Sequence, residues 1–248
     1  MNNRKIGHAK GFSTQSFSLE GAKLEKTDKK TILTPNNTGL SKPIAVDVNY
    51  WLAQAAECYN ISKKLEDYLI TPVIAVISDL PNTNGDAFSK RELLAFNPDA
   101  GMLAYQTFKG KPCHHEHNNK DHSIAKGVIL DVDIMPLRTH SGNHVKLIHL
   151  AAFDRTRDPK LCNEISSGRL NTYSMGAYYD SYKCSICDNR VGKDGANTSC
   201  SHTQLRKPTY MDPVTRQLAF RFCEKVNGFE ISLVSDPAFI SAISDHHL

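Results

Sequence analysis

Two neighbouring apolar runs, KGVILDVDIMPL over residues 126–137 and HVKLIHLAAFD over 144–154, most constrain what this chain can fold into. Both read as strands, the first strongly β-branched from Val128 to Ile134. VIAVIS at 73–78, followed by the turn-forming DLPNTNGD, adds another, and NTYSMGAYY, QLAFRFCEKV and GFEISLV continue the pattern toward the C-terminus. GMLAYQTFKGKPC, broken by Gly110 and Pro112, reads as strand and turn. Helical spacing is confined to a few places. Trp51, Ala55, Cys58 and Tyr59, with Leu65 and Leu69 extending the stripe, predict a helix over 48–67. Ser89–Phe96 suits a short helix, and Asp158, Pro159 and Gly168 frame another with a cap, a first-turn proline and a glycine stop. With no regular strand–helix alternation, no internal repeat and no phosphate loop, the expected class is mainly β with peripheral helices, α+β.

A chain of 248 residues can bury a substantial core. Its charge of +4, from 30 basic and 26 acidic residues, permits nucleic-acid contact without arguing for it. The N-terminus lacks the apolar run of a signal peptide, and no stretch approaches the roughly 18 apolar residues of a membrane span, so a reducing cytoplasm is the expected setting. Residues 1–40 are polar with little periodicity and read as a flexible N-terminal arm ahead of a domain over 41–248.

Seven cysteines is an odd number, which argues against a fully paired disulfide framework. Cys58, Cys113, Cys162 and Cys223 are scattered and read as buried or partly buried thiols. Cys184, Cys187, Cys200 and His202 instead follow the pattern C-x2-C-x12-C-x-H inside a cysteine-rich insertion at 181–208. Three thiolates and an imidazole complete a tetrahedral Zn2+ site that leaves no open position, so such a metal would be structural and not catalytic.

NTYSMGAYY places Ser174 in an aromatic-rich strand, and CHHEHNNKDH places His117 among His114, His115 and His122, with His140 more distant. A hydroxyl is a poor nucleophile at neutral pH, and an imidazole can take its proton during attack and return it to the leaving group. A strand serine beside a glycine is more often structural than catalytic, and a histidine cluster of this kind is equally suited to metal binding or to solvent.

PCHHEHNNKDHSIAKGVILD, SSGRLNTYSMGAYY, CSICDN and FEISLVSDPAF together resemble the prohead (capsid maturation) serine proteases of large tailed bacteriophages, a family similar in fold to the herpesvirus assemblin proteases. The resemblance spans roughly residues 72–242. It implies an assemblin-like β-barrel carrying a small zinc-knuckle-like insertion. It also implies a serine endopeptidase that cleaves scaffold or core proteins, the N-terminal region of the major capsid protein and usually itself. The setting would be the immature head inside the infected host cytoplasm, with no membrane or nucleic-acid partner and with self-association left open. Ser174 matches the family nucleophile in its Ser-Met-Gly strand, and His117, before Asn118 and the Gly127-Val128 strand, matches the base, with His115 next. Where assemblins carry a second histidine, this chain has Glu230, and Asp154 competes with it as the group that orients the imidazole. Backbone at Met175 and Gly176, or Arg169 or Arg216, is open as oxyanion donor. No cofactor is implied for catalysis. The competing readings are a metal-dependent hydrolase using the His114–His122 cluster and a non-enzymatic head or scaffold assembly protein.

Overall fold

The computed structural model describes residues 5–13, 17–18, 22–27, 30–35, 44–46, 48–140, 142–192, 200–204, 212, 214 and 216–235. The strands are β1 Lys5–Ser13, β2 Phe17–Ser18, β3 Ala22–Thr27, β4 Lys30–Pro35, β5 Ile44–Val46, β6 Tyr68–Ile77, β7 Asp86–Ala87, β8 Phe96–Asn97 and β9 Met102–Leu103. They continue as β10 Pro112–His115, β11 Gly127–Thr139, β12 Gly142–Asp154, β13 Thr172–Tyr179, β14 Ser181–Cys184, β15 Arg190–Gly192, β16 Arg221–Glu224 and β17 Asn227–Leu233. The helices are α1 Val48–Tyr59, α2 Lys90–Leu93, α3 Pro159–Ser166 and α4 Ser201–Gln204.

These strands are divided among four sheets: β1-β13-β17-β10-β11-β12-β6-β2, β15-β14-β16-β7, β3-β4-β5 and β8-β9. The arrangement is mixed α+β, and it corrects the expectation of an assemblin-like β-barrel. A regular barrel wall would need β1 and β6 laddered along their lengths, yet they share only Phe12 with Ile74 and Ser13 with Val73. The rest of β1 is committed to β13, and the next stretch of β6 is taken by β2. Residues 5–13 thus enter the main sheet from within the segment read as an arm, while residues 236–248, including most of SDPAF, and residues 205–208 of the insertion lie outside the described residues.

Both faces of the long strands are covered. All of β6 is buried, and successive side chains point to opposite faces. Leu69, Val73 and Ala75 join the main core with Phe88, Phe108, Phe153, Tyr173, Met175, Ile231 and Leu233. Tyr68 and Ile70 face the other way, with Val128, Leu130, Leu150 and Ala152, and receive Leu52 and Ala55 of α1. That helix ends at Tyr59 and not near residue 67, because Asn60 adopts a left-handed φ of 54° and the chain resumes only as a 3-10 turn at Leu65–Asp67. Its turn leaves Cys58 exposed, contrary to the expected burial, whereas Cys113, Cys162 and Cys223 are buried. GMLAYQTFKGKPC differs too: Ala104–Phe108 form a 3-10 turn between β9 and β10, letting Phe108 enter the core. The third helix begins as its sequence predicts, with the Asp158 carboxylate accepting from Leu161 N at 3.0 Å and Gly168 following its end at φ 71°.

One core residue works against this packing. His149 is fully buried on β12, its ring 4.6 Å from that of Phe108, and neither ring nitrogen has a hydrogen-bond partner. Burial lowers its pKa to about 3. The stability associated with the neutral ring is present above the unfolded pKa of about 6.5 and is lost as pH falls toward the folded value. Urea unfolding at pH 7 and pH 5 should therefore show His149→Leu to be more stable by about 1 kcal/mol or more and less sensitive to acid than the parent; a Leu variant of lower stability at both values would contradict this.

Candidate active site and metal centre

The strand alternation that builds the core also builds the site. On β13, β17 and β10, Tyr173, Met175, Ile231, Leu233 and Cys113 point into the main core, which sends the intervening Ser174, Glu230, Ser232 and His114 to the other face. Registers align them: Ser174 lies opposite Ser232 and Gly176 opposite Glu230 across the antiparallel β13–β17 pair, and His114 lies beside Ser232 across the parallel β10–β17 pair. All four polar side chains are buried.

Glu230 is the centre of this face. Fully buried, it accepts hydrogen bonds from His117 Nδ1 at 3.1 Å and Asn119 Nδ2 at 2.8 Å on Oε1, and from Ser232 Oγ at 3.0 Å on Oε2. Burial alone would raise its pKa, but the hydrogen bonds of His117 and Asn119, the charge of His117 and the Ser232 hydroxyl outweigh burial and hold it below the ordinary glutamate value. Of the two candidate orienters, then, Glu230 is the one paired with His117. Asp154 spends its oxygens on Ser62 N, Thr156 N and Oγ1, and Arg157 N, organising the loop before α3.

A close approach explains the glycine of Ser-Met-Gly. The register shifts between Gly176 and Ala177, so β17 carries an extra residue, Phe229, at a bulge. A Cβ on Gly176 would lie 2.5 Å from Glu230 Cγ and 2.6 Å from Phe229 Cζ, so only glycine lets the carboxylate and the ring sit against this backbone. Beyond β10 the chain is strained: Glu116 and His117 both have left-handed φ values, 51° and 54°. Glu116 N donates to Leu233 O at 2.8 Å, Ser235 N donates to Glu116 Oε1 at 2.8 Å, and Asn119 N donates to His117 O at 2.8 Å. Successive left-handed non-glycine residues cost about 1–3 kcal/mol each and persist where surrounding contacts enforce them. Their effect here is to carry a 30%-exposed His117 side chain back to a fully buried carboxylate.

The bond of Nδ1 to the carboxylate orients the ring as an acidic partner orients the imidazole of a serine hydrolase. Ser174 Oγ is fully buried and makes no hydrogen bond, to His117 or to any other group. The structure thus joins two of the three sequence-predicted residues and places the third on the same face, opposite Ser232 and two register positions from Glu230. Arg169 and Arg216 are both exposed, and Arg216 lies in a turn where its N–H donates to Asp212 O at 2.9 Å. His115 points away from His114 on β10, in register with Leu233. The part that Asn119 and Ser232 play was missed by sequence reasoning, whereas His114 was considered only as a member of the histidine cluster. A serine two residues from Glu230 was the only available signal, and it carries meaning only once the register is known.

The second centre matches its sequence reading. Cys184, Cys187, Cys200 and His202 bring their ligand atoms within 4.8 Å of one another, and no other group of three or more such residues is found among the described residues. The set is consistent with structural Zn2+. The His114–His122 cluster does not form such a group. Local bonds shape the first half of the site: Ile186 N donates to Cys184 Sγ at 3.4 Å, and Asp188, at φ 60°, donates from its N to Cys184 O at 3.1 Å. Burial opposes ionisation of Cys200, yet hydrogen bonds from Thr203 and the neighbouring thiols bring its pKa to about 6. A thiolate is the form a metal binds.

No protein-family model, no curated protein and no solved structure matches this chain.

Because Glu230 is held below the usual glutamate value, the stability from its bonds is fully present above about pH 4.3 and is lost as pH falls through the lowered folded value. Glu230→Gln should flatten that acid limb in denaturant titrations. Gly176→Ala should cost about 1–3 kcal/mol through overpacking and shift the ring resonances of His117 even at neutral pH; unchanged resonances would show that the carboxylate does not depend on the bare backbone there.

Proposed function

We propose that the protein is a serine endopeptidase with Ser174 as nucleophile, His117 as general base and acid, and Glu230 as the carboxylate that orients the imidazole. The observation that carries this reading is the His117 Nδ1–Glu230 Oε1 bond at 3.1 Å, formed by a buried carboxylate on the strand paired with that of Ser174. In the first step Ser174 Oγ bonds to the scissile carbonyl carbon while its proton passes to His117 Nε2. The C–N bond then breaks, and His117 returns the proton to the departing amine. Water attacks the acyl-enzyme with His117 again taking the proton, which releases the acid and restores the hydroxyl. Glu230 holds the ring and stabilises the cation formed in each half-reaction. The Ser174–His117 contact closes on substrate binding, as catalytic bonds that are long in the free enzyme commonly do. The motif resemblance supplies the substrates: scaffold or core proteins, the major capsid protein and the chain itself, inside an immature phage head.

A second reading, a non-enzymatic assembly protein, is favoured by the burial of Ser174 Oγ without any partner and by a Cys3His site that stabilises a fold or a contact and does no chemistry.

Two measurements separate these readings. Fluorophosphonate treatment should add one label, read by intact mass and located at Ser174. Labelling should vanish in Ser174→Ala and slow by about 10²–10⁴-fold in His117→Ala. Co-expression with the scaffold and major capsid proteins of the same genome should give truncations absent with Ser174→Ala. Truncations that persist in the alanine form would remove Ser174 as the nucleophile, and an unlabelled, non-cleaving protein would favour the assembly role.

A further inference from the structure

We propose that the metal in the Cys3His centre is ligated by His202 through Nδ1, and that Asp212 is the outer carboxylate that fixes the ring in this orientation. The inference concerns the metal centre alone and holds whether or not Ser174 is a nucleophile.

The two ring nitrogens of His202 have different surroundings. Nε2 lies 3.2 Å from Asp212 Oδ2. Nδ1 is buried and has no hydrogen-bond partner, in a ring whose ligand atom is within 4.8 Å of three cysteine sulfurs. A buried ring nitrogen left without a partner costs stability unless something accepts its lone pair, and a metal cation among three thiolates does so. A carboxylate on Nε2 requires the proton there, which leaves Nδ1 deprotonated and able to ligate. Metal-bound histidines regularly donate their second N–H to a carboxylate in this way.

Asp212 is itself held. Its Oδ1 accepts from Val214 N at 3.0 Å, its N donates to Gln217 O at 2.9 Å, and its carbonyl accepts from Arg216 N at 2.9 Å. One oxygen therefore closes its own turn while the other reaches the ring. The cysteine side of the centre is tied to the same stretch of chain: Ser185 N donates to Phe220 O at 3.0 Å, and Phe220 N donates to Ser185 Oγ at 2.9 Å. The metal, its histidine and the turn leading into β16 form one braced unit.

Asp212→Asn separates the two jobs of this side chain. The amide oxygen can still close the turn on Val214 N, which leaves the amide NH2, a donor, facing Nε2–H, so the ring loses its acceptor. With the full chain loaded with Zn2+, competition against a chromophoric chelator should show Asp212→Asn binding zinc about 10–100-fold more weakly, and long-range 1H–15N spectra of histidine-labelled parent protein should show His202 protonated at Nε2 and metal-bound at Nδ1. Metal on Nε2, an Asn variant within twofold of the parent affinity, or a folded chain that takes up no Zn2+ would each overturn the proposal. The spectrum of the parent protein decides the ligand atom even if a variant at 212 fails to fold. A purely structural Asp212 would lower stability equally with and without zinc and leave the affinity unchanged.

Discussion

The site depends on one buried negative charge. An ionised carboxylate inside a protein is tolerated only where hydrogen bonds and an opposite charge replace the water it has lost. Glu230 meets that condition with donors from two elements, Ser232 on its own strand and His117 and Asn119 in the loop after β10. Meeting it organises the neighbourhood. The loop must fold back far enough to deliver an imidazole and an amide to one oxygen, which is the conformation that the left-handed Glu116 and His117 impose. β13 must present bare backbone at Gly176 so that the glutamate stem can pass. Removing any one donor leaves a charge that is both buried and less well satisfied, so these residues act as a unit.

The two centres are connected along the chain. β13, with Ser174, runs into β14, which ends at Cys184, with only Asp180 between the strands. β16, which pairs with β14, runs into β17 and Glu230 after Lys225 and Val226. The pair of strands that carries the serine and the glutamate therefore continues into the pair that borders the Cys3His cluster. An ion pair of the half-buried Arg221 with the buried Asp86, at 2.7 Å, secures the far side of this smaller sheet where β16 meets β7. Of these strands only β14 carries a ligand, Cys184, and β16 is held beside the cluster by the bonds between Ser185 and Phe220; a register slip of one residue in either would turn every side chain to the wrong face.

Local chemistry was legible in the sequence and long-range register was not. The cap and proline of α3, the long β11–β12 pair and the metal ligands each announce themselves within a few residues of chain, and each appears where expected. Glu230 was named as the orienter through the motif resemblance, with Asp154 competing, but the parallel β10–β17 contact that brings it to His117 joins segments more than a hundred residues apart, which no local pattern encodes. Ser232 and Asn119 escaped notice for the same reason, since a serine or an asparagine is unremarkable until the carboxylate it serves is in place. The barrel expectation failed at another non-local point, the shortness of the β1–β6 ladder. Helix α1 was overextended because Leu65 and Leu69 continue its apolar spacing, although they reach the core through a 3-10 turn and a strand.

The two centres solve the same electrostatic problem by different means. At Glu230 the charge is kept by neutral donors and one imidazole, so the carboxylate can support a transient positive charge on His117 without ever being fully neutralised. The proposed role of His117 as general base would draw on that property, because a permanently compensated carboxylate would have nothing left to stabilise the imidazolium. At the cysteine cluster, against burial, hydrogen bonds bring the Cys200 thiol down, while burial pushes the Cys184 thiol up; a divalent cation with four protein ligands would stabilise all three thiolates and leave no open position. Partial compensation leaves the buried Glu230 charge dependent on its donors, whereas metal ligation would leave the cysteine cluster with no open position.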